Sequence, residues 1–211
     1  MSTSNSKPFT DAAERWNSRF EGEAYLFGTE PNVWLREHQG LWQPGERVLS
    51  VADGEGRNSV WLAHQGLVVD AFDLSPVGVA KARKLADARG VTVNFTISDV
   101  DTYSWPQGVY DGVAAIFVQF ADPALRERLF ARIKLALKRG GTLVLQGYTP
   151  KQLEYKTGGP PHVEHLYTEQ MLRDAFSDFE IVELREYEAE VDEGKGHSGH
   201  SALIGMVARK R

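Results

Sequence analysis

Apolar runs alternate with amphipathic segments along most of this chain. From residue 46 onward, short runs such as VVDAF, VAAIFV and TLVLQ are separated by stretches with helical periodicity. In one such stretch Leu125, Leu129, Ile133 and Leu137 recur at about the spacing of helical turns. Apolar runs without polar alternation are typical of parallel strands that are buried on both faces. The pattern therefore predicts an α/β fold with a doubly wound, mostly parallel sheet.

Capping residues mark the ends of the predicted helices. Ser75 and Pro76 open the helical segment SPVGVAKARKLADARG, and Gly90 ends it. Thr168 is predicted to cap TEQMLRDAF in the same way. The pair Gly140-Gly141 is expected to stop the long helix DPALRERLFARIKLALKRGG.

The two ends of the chain depart from this alternation. FEIVELREYEAEV and SALIGMVARK are strand-like and flank the turn DEGKGHSG, which predicts a final hairpin. Residues 11–44 hold two short helical patterns, with Asp11 and Pro31 at their starts, joined by the loop EGEAYLFGTE. We expect a disordered tail at 1–10 and a single domain over 11–211, composed of an N-terminal helical lid (11–44) and a Rossmann-like core (46–211).

Composition and charge narrow the classes of function. The sequence has 211 residues, a net charge of −5 and no cysteine. A mildly acidic chain without a long basic run has no electrostatic footprint for nucleic acid or an anionic membrane. It contains no apolar run of about 18 residues that would span a bilayer, and no disulfide, thiolate zinc site or cysteine nucleophile can form. We expect a cytoplasmic protein, monomer or homodimer, with a small-molecule partner.

The segment LSVADGEGRNSVWLA predicts a ligand-binding turn between a strand and a helix. Gly54 and Gly56 allow close approach to the backbone, and the helix N-terminus follows directly. Asp73 ends the next predicted strand 19 residues after Gly54, the spacing of an acid that binds a ribose diol. Asp99 ends the third strand, where it can accept from the exocyclic amine of adenine. These residues predict a nucleotide-like ligand at the carboxyl ends of the strands.

The same turn lacks a cradle for phosphates. Position 59 is serine, whereas the dinucleotide pattern G-x-G-x-x-G requires glycine there, and no G-K-[ST] sequence is present. An adenosine ligand without phosphates, S-adenosylmethionine, fits better. An NAD-dependent oxidoreductase of the short-chain type is disfavoured, because the helix after the fourth strand contains no Tyr-x-x-x-Lys.

These features resemble the class I S-adenosylmethionine-dependent methyltransferases, and most of all their bacterial tellurite-resistance and thiopurine methyltransferase branch. The resemblance covers about residues 14–209 and is carried by W-x-x-R-F at Trp16 to Phe20, YLFGTEPN, VADGEGRNSVWLA, AFDLSPVGVAKA, YDGVAAIF, LKRGGTLVL and Y-T-P-x-Q-L-x-Y-x-T-G-G-P at 148–160. It implies a seven-stranded sheet with an antiparallel last strand, S-adenosyl-L-methionine as cofactor, and in-line methyl transfer to a small molecule such as a thiol or chalcogen. The alternative is a non-catalytic module of the same fold that binds S-adenosylmethionine or S-adenosylhomocysteine.

The resemblance also implies which residues contact the cofactor. They are Tyr25, Ala52, Asp53, Gly54, Gly56, Asn58, Asp73, Leu74, Ser75, Asp99, Val100, Ile116 and Phe117. Two positions depart from the family pattern D-x-G-x-G-x-G, because Ser50 replaces its acid and Ala52 its first glycine. The acid commonly orients the methionine amino group. Asp53 and Glu55, in the same turn, are the candidate replacements.

Aromatic residues crowd the predicted lid. They are Trp16, Phe20, Tyr25, Phe27 and Trp34. Aromatic rings attract a sulfonium cation and exclude water, but they also fasten helices to a sheet. Tyr25 is the strongest candidate for a ligand contact, because YLFG lies in a loop.

Histidines and tyrosines in two loops are the candidate catalytic residues. Loops 155–165 and 194–200 are expected to overhang the cleft, which makes His197 a candidate proton acceptor or substrate contact, with Tyr148 and Tyr155 nearby. Neither H-x-x-H sequence, at 162–165 or at 197–200, has the i, i+4 spacing of a helical metal site, so no metal is predicted.

Overall fold

The computed structural model describes residues 8–211, with side chains described from residue 11. The helices are α1 Pro8–Phe20, α2 Val33–Glu37, α3 Arg57–His64, α4 Pro76–Arg89, α5 Pro123–Ala136, α6 Gln152–Tyr155 and α7 Glu169–Ala175. The strands are β1 Arg47–Val51, β2 Val68–Asp73, β3 Asn94–Ile97, β4 Tyr110–Ile116, β5 Leu137–Tyr148, β6 Phe179–Asp192 and β7 Ser198–Lys210. Of the predicted tail, residues 1–7 lie outside the described residues and 8–10 belong to α1. Within the described residues, no helix has both the length and the apolar character needed to cross a bilayer.

The strands form one sheet in the order β3-β2-β1-β4-β5-β7-β6. The first five strands pair in parallel, and β7 runs antiparallel to both β5 and β6. This confirms the predicted Rossmann-like sheet with a C-terminal hairpin and an antiparallel last strand. The chain builds outward from β1 to β3 and then returns to place β4 on the other side of β1. Ligands bind at such a switch point, outside the carboxyl ends of the strands.

Most predicted helix ends are confirmed. The Ser75 hydroxyl accepts from the Gly78 N–H at 3.0 Å, and α4 ends where Gly90 adopts a left-handed conformation. Three ends differ from the prediction. Pro31 precedes α2 and is not in its first turn, because Asn32 caps the helix and Val33 begins it. The first helix begins at Pro8, so Asp11 lies in its first turn and does not cap it. The helix α5 ends at Ala136, before Gly140-Gly141, because the next residue pairs with the start of β4 and begins β5.

Buried side chains pack against both faces of the sheet, and the indoles of Trp34 and Trp42 belong to one of these two layers. Trp34 and Trp42 pack flat on the strands, so that a Cβ added to Gly205 would lie 2.5 Å from Trp34 and one added to Gly112 would lie 2.1 Å from Trp42. The Trp42 indole N–H also donates to Thr142 Oγ1 at 2.7 Å. These contacts fix the second part of the N-terminal segment to the sheet.

The loop between α1 and α2 is held by a buried lysine. Lys81 Nζ, on α4, lies 2.5 Å from Glu55 Oε1 and donates to the Ala24 carbonyl at 2.6 Å. The other oxygen of Glu55 accepts from the Leu26 N–H at 2.7 Å. Because both charged side chains are buried, this pairing is costly to break by removal of one partner. It holds the N-terminal segment across the carboxyl ends of the strands.

Candidate functional site

Three adjoining cavities lie at the carboxyl ends of the strands. The Asp73–Asp99 cavity, of about 310 Å³, lies between β2, β3 and α5 and is lined by Asp73, Asp99, Val100 and Leu125, among others. The loop cavity, of about 90 Å³, lies against the β1–α3 turn and is lined by Gly54, Asn58, Arg57 and Ile116, among others. The histidine cavity, of about 350 Å³, is lined by Arg19, Gln119, Tyr148 and His197, among others. Trp16 and Phe120 line all three cavities, which therefore adjoin one another and are together called the cleft.

The two glycines of the turn have different roles. Gly54 has a φ of +61° and lines the loop cavity. A Cβ at Gly56 would lie 2.7 Å from the Cβ of Ala82, so this glycine permits close packing of α3 on α4 and does not face the cleft. At the position of the missing first glycine, Ala52 keeps a left-handed φ of +50°, a conformation that costs a non-glycine residue about 1 kcal/mol.

Asp73 presents a buried carboxylate to the cleft. Its two oxygens accept from the Gly54 N–H at 2.9 Å and the Ser75 N–H at 2.8 Å. No cation offsets its charge among the described residues, whose ion pairs do not include it. Burial raises the pKa of Asp73 to about 6, even though the two backbone bonds act in the opposite direction. Such a carboxylate is an acceptor for hydroxyl donors of a ligand.

The structure distinguishes between the two candidate replacements for the family's acid. The Asp53 carboxylate lies directly against Ser50, whose hydroxyl donates to it at 2.7 Å, and it also accepts from the Ser59 N–H at 3.2 Å. Glu55 instead points away from the cleft and holds the N-terminal loop. Burial raises the pKa of Asp53 against the effect of these hydrogen bonds. A carboxylate therefore still lies beside position 50, supplied by a residue three positions later.

The cleft is lined by ten of the thirteen residues predicted to contact a cofactor. They are Ala52, Asp53, Gly54, Asn58, Asp73, Leu74, Asp99, Val100, Ile116 and Phe117. Phe117 has a φ of +55° at the end of β4, as Ala52 does after the adjacent strand β1. Left-handed non-glycine residues at two neighbouring strand ends are the kind of backbone strain that clusters at ligand sites.

Tyr25 was predicted to contact the cofactor, but it does not line the cleft. Ser75 and Gly56 also lie outside the cleft. The Tyr25 hydroxyl donates to the Lys81 carbonyl at 3.1 Å, and its ring packs with Val60 and Leu85. It therefore fastens the loop to α3 and α4. Ser75 is fully buried as the cap of α4. The lid aromatics that do line the cleft are Trp16, Phe20 and Phe27.

His197 and Tyr148 come together in the histidine cavity, the first from the turn before β7 and the second from the end of β5. The imidazole lies between Phe27 and Phe117, with ring centroids 4.5 and 4.2 Å away, and 5.8 Å from the ring of Tyr148. His197 Nδ1 and Tyr148 Oη are buried, and neither has a hydrogen-bond partner among the described residues. Burial lowers the pKa of His197 below its ordinary 6.5, and the charge of Arg57 acts in the same direction. A neutral imidazole at pH 7 is able to accept a proton.

A buried ion pair positions the turn that carries His197. Glu193 Oε2 lies 2.7 Å from Arg57 Nη2, and its other oxygen accepts from the Asn32 side-chain amide at 2.9 Å. Burial alone raises the pKa of Glu193, but nearby His197 and Arg57 outweigh this and hold it at about 2. His197 Nδ1 is 3.9 Å from the carboxylate, which is too far for a hydrogen bond.

Tyr155 is a second correction, because it lies outside the cleft. Its hydroxyl donates to Glu188 and its ring packs on His200, 4.8 Å away, on the outer surface of the hairpin. His162 and His165, from the other H-x-x-H sequence, line the histidine cavity. Among the described residues, no group of three or more His, Asp or Glu side chains is arranged to hold a metal ion.

Three site residues were missed by the sequence reasoning. Gln119 donates to the Tyr148 and His165 carbonyls at 2.9 and 3.1 Å and so joins β5 to the loop above it. Glu193 forms the ion pair just described. Arg19 borders the histidine cavity from α1. Arg19 had a visible signal, because it belongs to the W-x-x-R-F motif, but the cleft-facing side of that helix was not apparent from its spacing.

Comparison with known proteins gives several matches to methyltransferases. A family model described as a methyltransferase domain matches residues 48–141. The demethylmenaquinone methyltransferase of Thermus thermophilus is 32% identical over 107 residues, which cover 50% of this chain and 48% of that protein. The chain spans about half or less of the length of the curated relatives that it matches first.

Solved structures of methyltransferases share the fold over nearly the whole chain. Magnesium protoporphyrin IX methyltransferase from Synechocystis, solved with bound S-adenosylhomocysteine, superposes with a TM-score of 0.69 at 20% identity, covering 97% of this chain and 100% of that one. TehB from Haemophilus influenzae superposes with a TM-score of 0.69 at 18% identity, covering 94% and 67%. The fold and the matched domain support S-adenosylmethionine as the cofactor.

Proposed function

We propose that this chain methylates a small molecule held in the histidine cavity, because residues 48–141 match a model of a methyltransferase domain and the chain shares the fold of solved methyltransferases. The observation that carries this proposal is that the cavities of the cleft adjoin one another. The acidic end, at Asp73, and the histidine end, at His197, share the walls formed by Trp16 and Phe120. A cofactor at one end therefore meets an acceptor at the other.

The residues of the acidic end fit S-adenosylmethionine. Asp73 is a buried carboxylate with only two backbone donors, and a ribose diol supplies two more. Asp99 lines the same cavity, and we assign it the adenine amine as its hydrogen-bond donor. Arg57 lines the loop cavity, and its Nη1 is buried without a hydrogen-bond partner among the described residues, so we assign this side chain to the methionine carboxylate.

Cofactor affinity is expected to depend on pH through Asp73. The pKa of this carboxyl in the free protein is about 6, and two hydroxyl donors favour its charged form, so binding expels the proton. Affinity for S-adenosylhomocysteine should therefore fall as pH drops below about 6, and be roughly tenfold weaker at pH 5 than at pH 8. Calorimetric titrations across this range will measure it, and Asp73→Asn should remove the dependence. An affinity that stays constant between pH 5 and 8 would contradict the assignment.

The bound cofactor supplies a methyl group on a sulfonium sulfur, which an acceptor nucleophile takes by in-line displacement. The chain aligns the acceptor and excludes water, and it needs no covalent intermediate. Phe27 and Phe117 wall the histidine cavity at the point where it meets the loop cavity. Neutral His197 lies between these two rings and accepts the proton that a hydroxyl or thiol acceptor releases.

Replacing His197 by glutamine tests this role. For an acceptor that must lose a proton, we expect kcat at pH 7 to fall by roughly a hundredfold, because general base catalysis contributes at least that much. S-adenosylhomocysteine affinity should change by less than about threefold. His200→Gln is the matched control, since His200 is exposed and pairs with Glu188 and Glu190. Equal loss of turnover in both variants would remove His197 from the mechanism.

The acceptor atom is proposed to be sulfur or another chalcogen, on the strength of the resemblance to the tellurite-resistance and thiopurine branch. Release of S-adenosylhomocysteine from S-adenosylmethionine, measured with matched thiols, phenols and amines, tests both the reaction and its nucleophile. Turnover restricted to phenols or amines would replace the thiol proposal. Tight binding of S-adenosylmethionine without release of S-adenosylhomocysteine for any acceptor would favour the non-catalytic module.

A further inference from the structure

The histidine cavity carries an unusual charge for this protein. Its described lining holds Arg15, Arg19, His162, His165 and His197, and no Asp or Glu. The chain as a whole has a net charge of −5. By contrast, the lining of the Asp73–Asp99 cavity contains four aspartates against two arginines, Arg128 and Arg15, the second of which it shares with the histidine cavity. Positive charge is therefore concentrated at the end of the cleft that we assign to the acceptor.

Arg15 and Arg19 stand one turn apart on α1 and act as a pair. Among residues 11–211, no carboxylate lies within ion-pair distance of either guanidinium. The pKa of Arg19 lies below its ordinary value, because the side chain is partly buried and because Arg15 is positively charged. Like charges at this spacing destabilise a helix, so the pair is favoured by an anion placed between or above them.

The position of Arg19 is fixed by aromatic rings. Its guanidinium carbon lies 4.5 Å from the centroid of Trp16 and 5.8 Å from that of Phe27. Both rings also line the histidine cavity, and Phe27 stacks against His197 with centroids 4.5 Å apart. One aromatic ring thus separates the guanidinium from the imidazole that faces the reaction. The buried hydroxyl of Tyr148, without a hydrogen-bond partner among the described residues, adds a polar group to the same cavity.

We propose that the methyl acceptor is an anion, whose negative group binds Arg19 with the help of Arg15 and whose apolar body lies against Phe27, Phe117 and Phe120. This inference rests on the proposed function and adds a substrate class to it. A carboxylate matches the planar fork of a guanidinium and accepts two hydrogen bonds from it. The rings of the cavity walls suit an aromatic or otherwise flat apolar body.

The methionine carboxylate of the cofactor is the competing anion. Arg57 is the better partner for it, because it lines the loop cavity and has a buried, unpartnered Nη1 among the described residues. Of the three cavities, Arg19 lines only the histidine cavity. The two arginines therefore divide between cofactor and acceptor.

The test compares two acceptors that differ only in charge, para-mercaptobenzoate and para-mercaptobenzamide, in the wild type, in Arg19→Gln and in Arg139→Gln. Arg139 is exposed at the start of β5, so Arg139→Gln removes the same charge away from the cavity and serves as the control. We expect kcat/KM in the wild type to favour the benzoate by roughly tenfold or more, since a bond to a charged group contributes at least that much. Arg19→Gln should reduce the preference to about twofold, mainly through KM, while the benzamide and Arg139→Gln are unaffected.

Three results would overturn the inference. If Arg19→Gln lowers kcat/KM equally for the benzoate and the benzamide, Arg19 acts on the thiol or on the N-terminal segment. A tenfold loss of S-adenosylhomocysteine affinity in Arg19→Gln would assign the guanidinium to the cofactor. Equal use of both acceptors by the wild type would remove the anion site.

A binding measurement separates this inference from the proposed reaction. Phenols and amines with the same two substituents replace the thiols if no thiol is methylated. If none of these thiols, phenols and amines is methylated, calorimetry measures the binding of para-mercaptobenzoate to the protein saturated with S-adenosylhomocysteine. Binding that is lost in Arg19→Gln and kept in Arg139→Gln would support the anion site although the proposed reaction had failed. Absence of binding to the wild type would overturn the anion site.

Discussion

Replacing Asp73 by alanine should weaken binding of S-adenosylhomocysteine at least a hundredfold. The carboxylate lies in the Asp73–Asp99 cavity with capacity for two further donors. Hydrogen bonds to a charged group contribute about 1.5–3 kcal/mol each, so loss of two costs about 3 kcal/mol or more, which is more than a hundredfold in affinity. The variant also releases the Gly54 N–H, which Asp73 holds at 2.9 Å, and so loosens the turn itself.

Calorimetric titration of the wild type, Asp73→Ala and Asp87→Ala measures this effect. Asp87 is an exposed aspartate on α4, and its removal should leave the affinity unchanged. Far-ultraviolet circular dichroism confirms that Asp73→Ala is folded before its affinity is interpreted. A folded Asp73→Ala variant that binds within about threefold of the wild type would show that the ribose lies elsewhere. NAD is not expected to bind any of the three proteins, because position 59 is serine.

The position of Asp73 at the cleft was predictable, because it depends on where an apolar strand ends in the sequence. A strand that is buried on both faces has a clear end, and the carboxyl ends of parallel strands meet at one edge of the sheet. The apolar run before Asp73 and the one before Ile116 each identified a strand end, and both residues line the cleft. The final hairpin followed from the same pattern.

Residues on the N-terminal segment were harder to assign because their direction depends on packing. Tyr25 and Phe27 are two positions apart in one loop, yet Tyr25 packs on α3 and α4 while Phe27 lines the cleft. Which one faces the ligand is decided by the hydrogen bonds of Lys81 and Glu55 to that loop, pairs that are far apart in the sequence. Tyr155 failed for a similar reason, since a local turn of helix directs it onto the outer surface of the hairpin.

Glu193→Gln should be among the most destabilising conservative changes in this chain. It leaves the charge of Arg57 buried without its partner, at a site where both side chains are 8% exposed. Breaking a buried ion pair by removing one partner costs about 3–5 kcal/mol. For a domain of this size each kcal/mol lowers Tm by about 2–4 °C, so a decrease of roughly 6–20 °C is expected in thermal unfolding. Glu180→Gln, at an exposed position of β6 and 3.7 Å from Arg209, should lower Tm by less than about 2 °C.

The dependence of stability on pH provides an independent check of Glu193. Its folded pKa of about 2 lies below its ordinary 4.5, so its contribution is fully present above pH 4.5 and is lost as pH falls toward 2. This difference corresponds to about 3 kcal/mol, and Glu193→Gln should lack that part of the acid sensitivity.

The double variant Arg57→Met/Glu193→Gln removes both charges and should be more stable than Glu193→Gln alone. If Glu193→Gln unfolds within 2 °C of the wild type, the carboxylate does not hold the turn, and His197 must be positioned by its aromatic neighbours Phe27 and Phe117 instead.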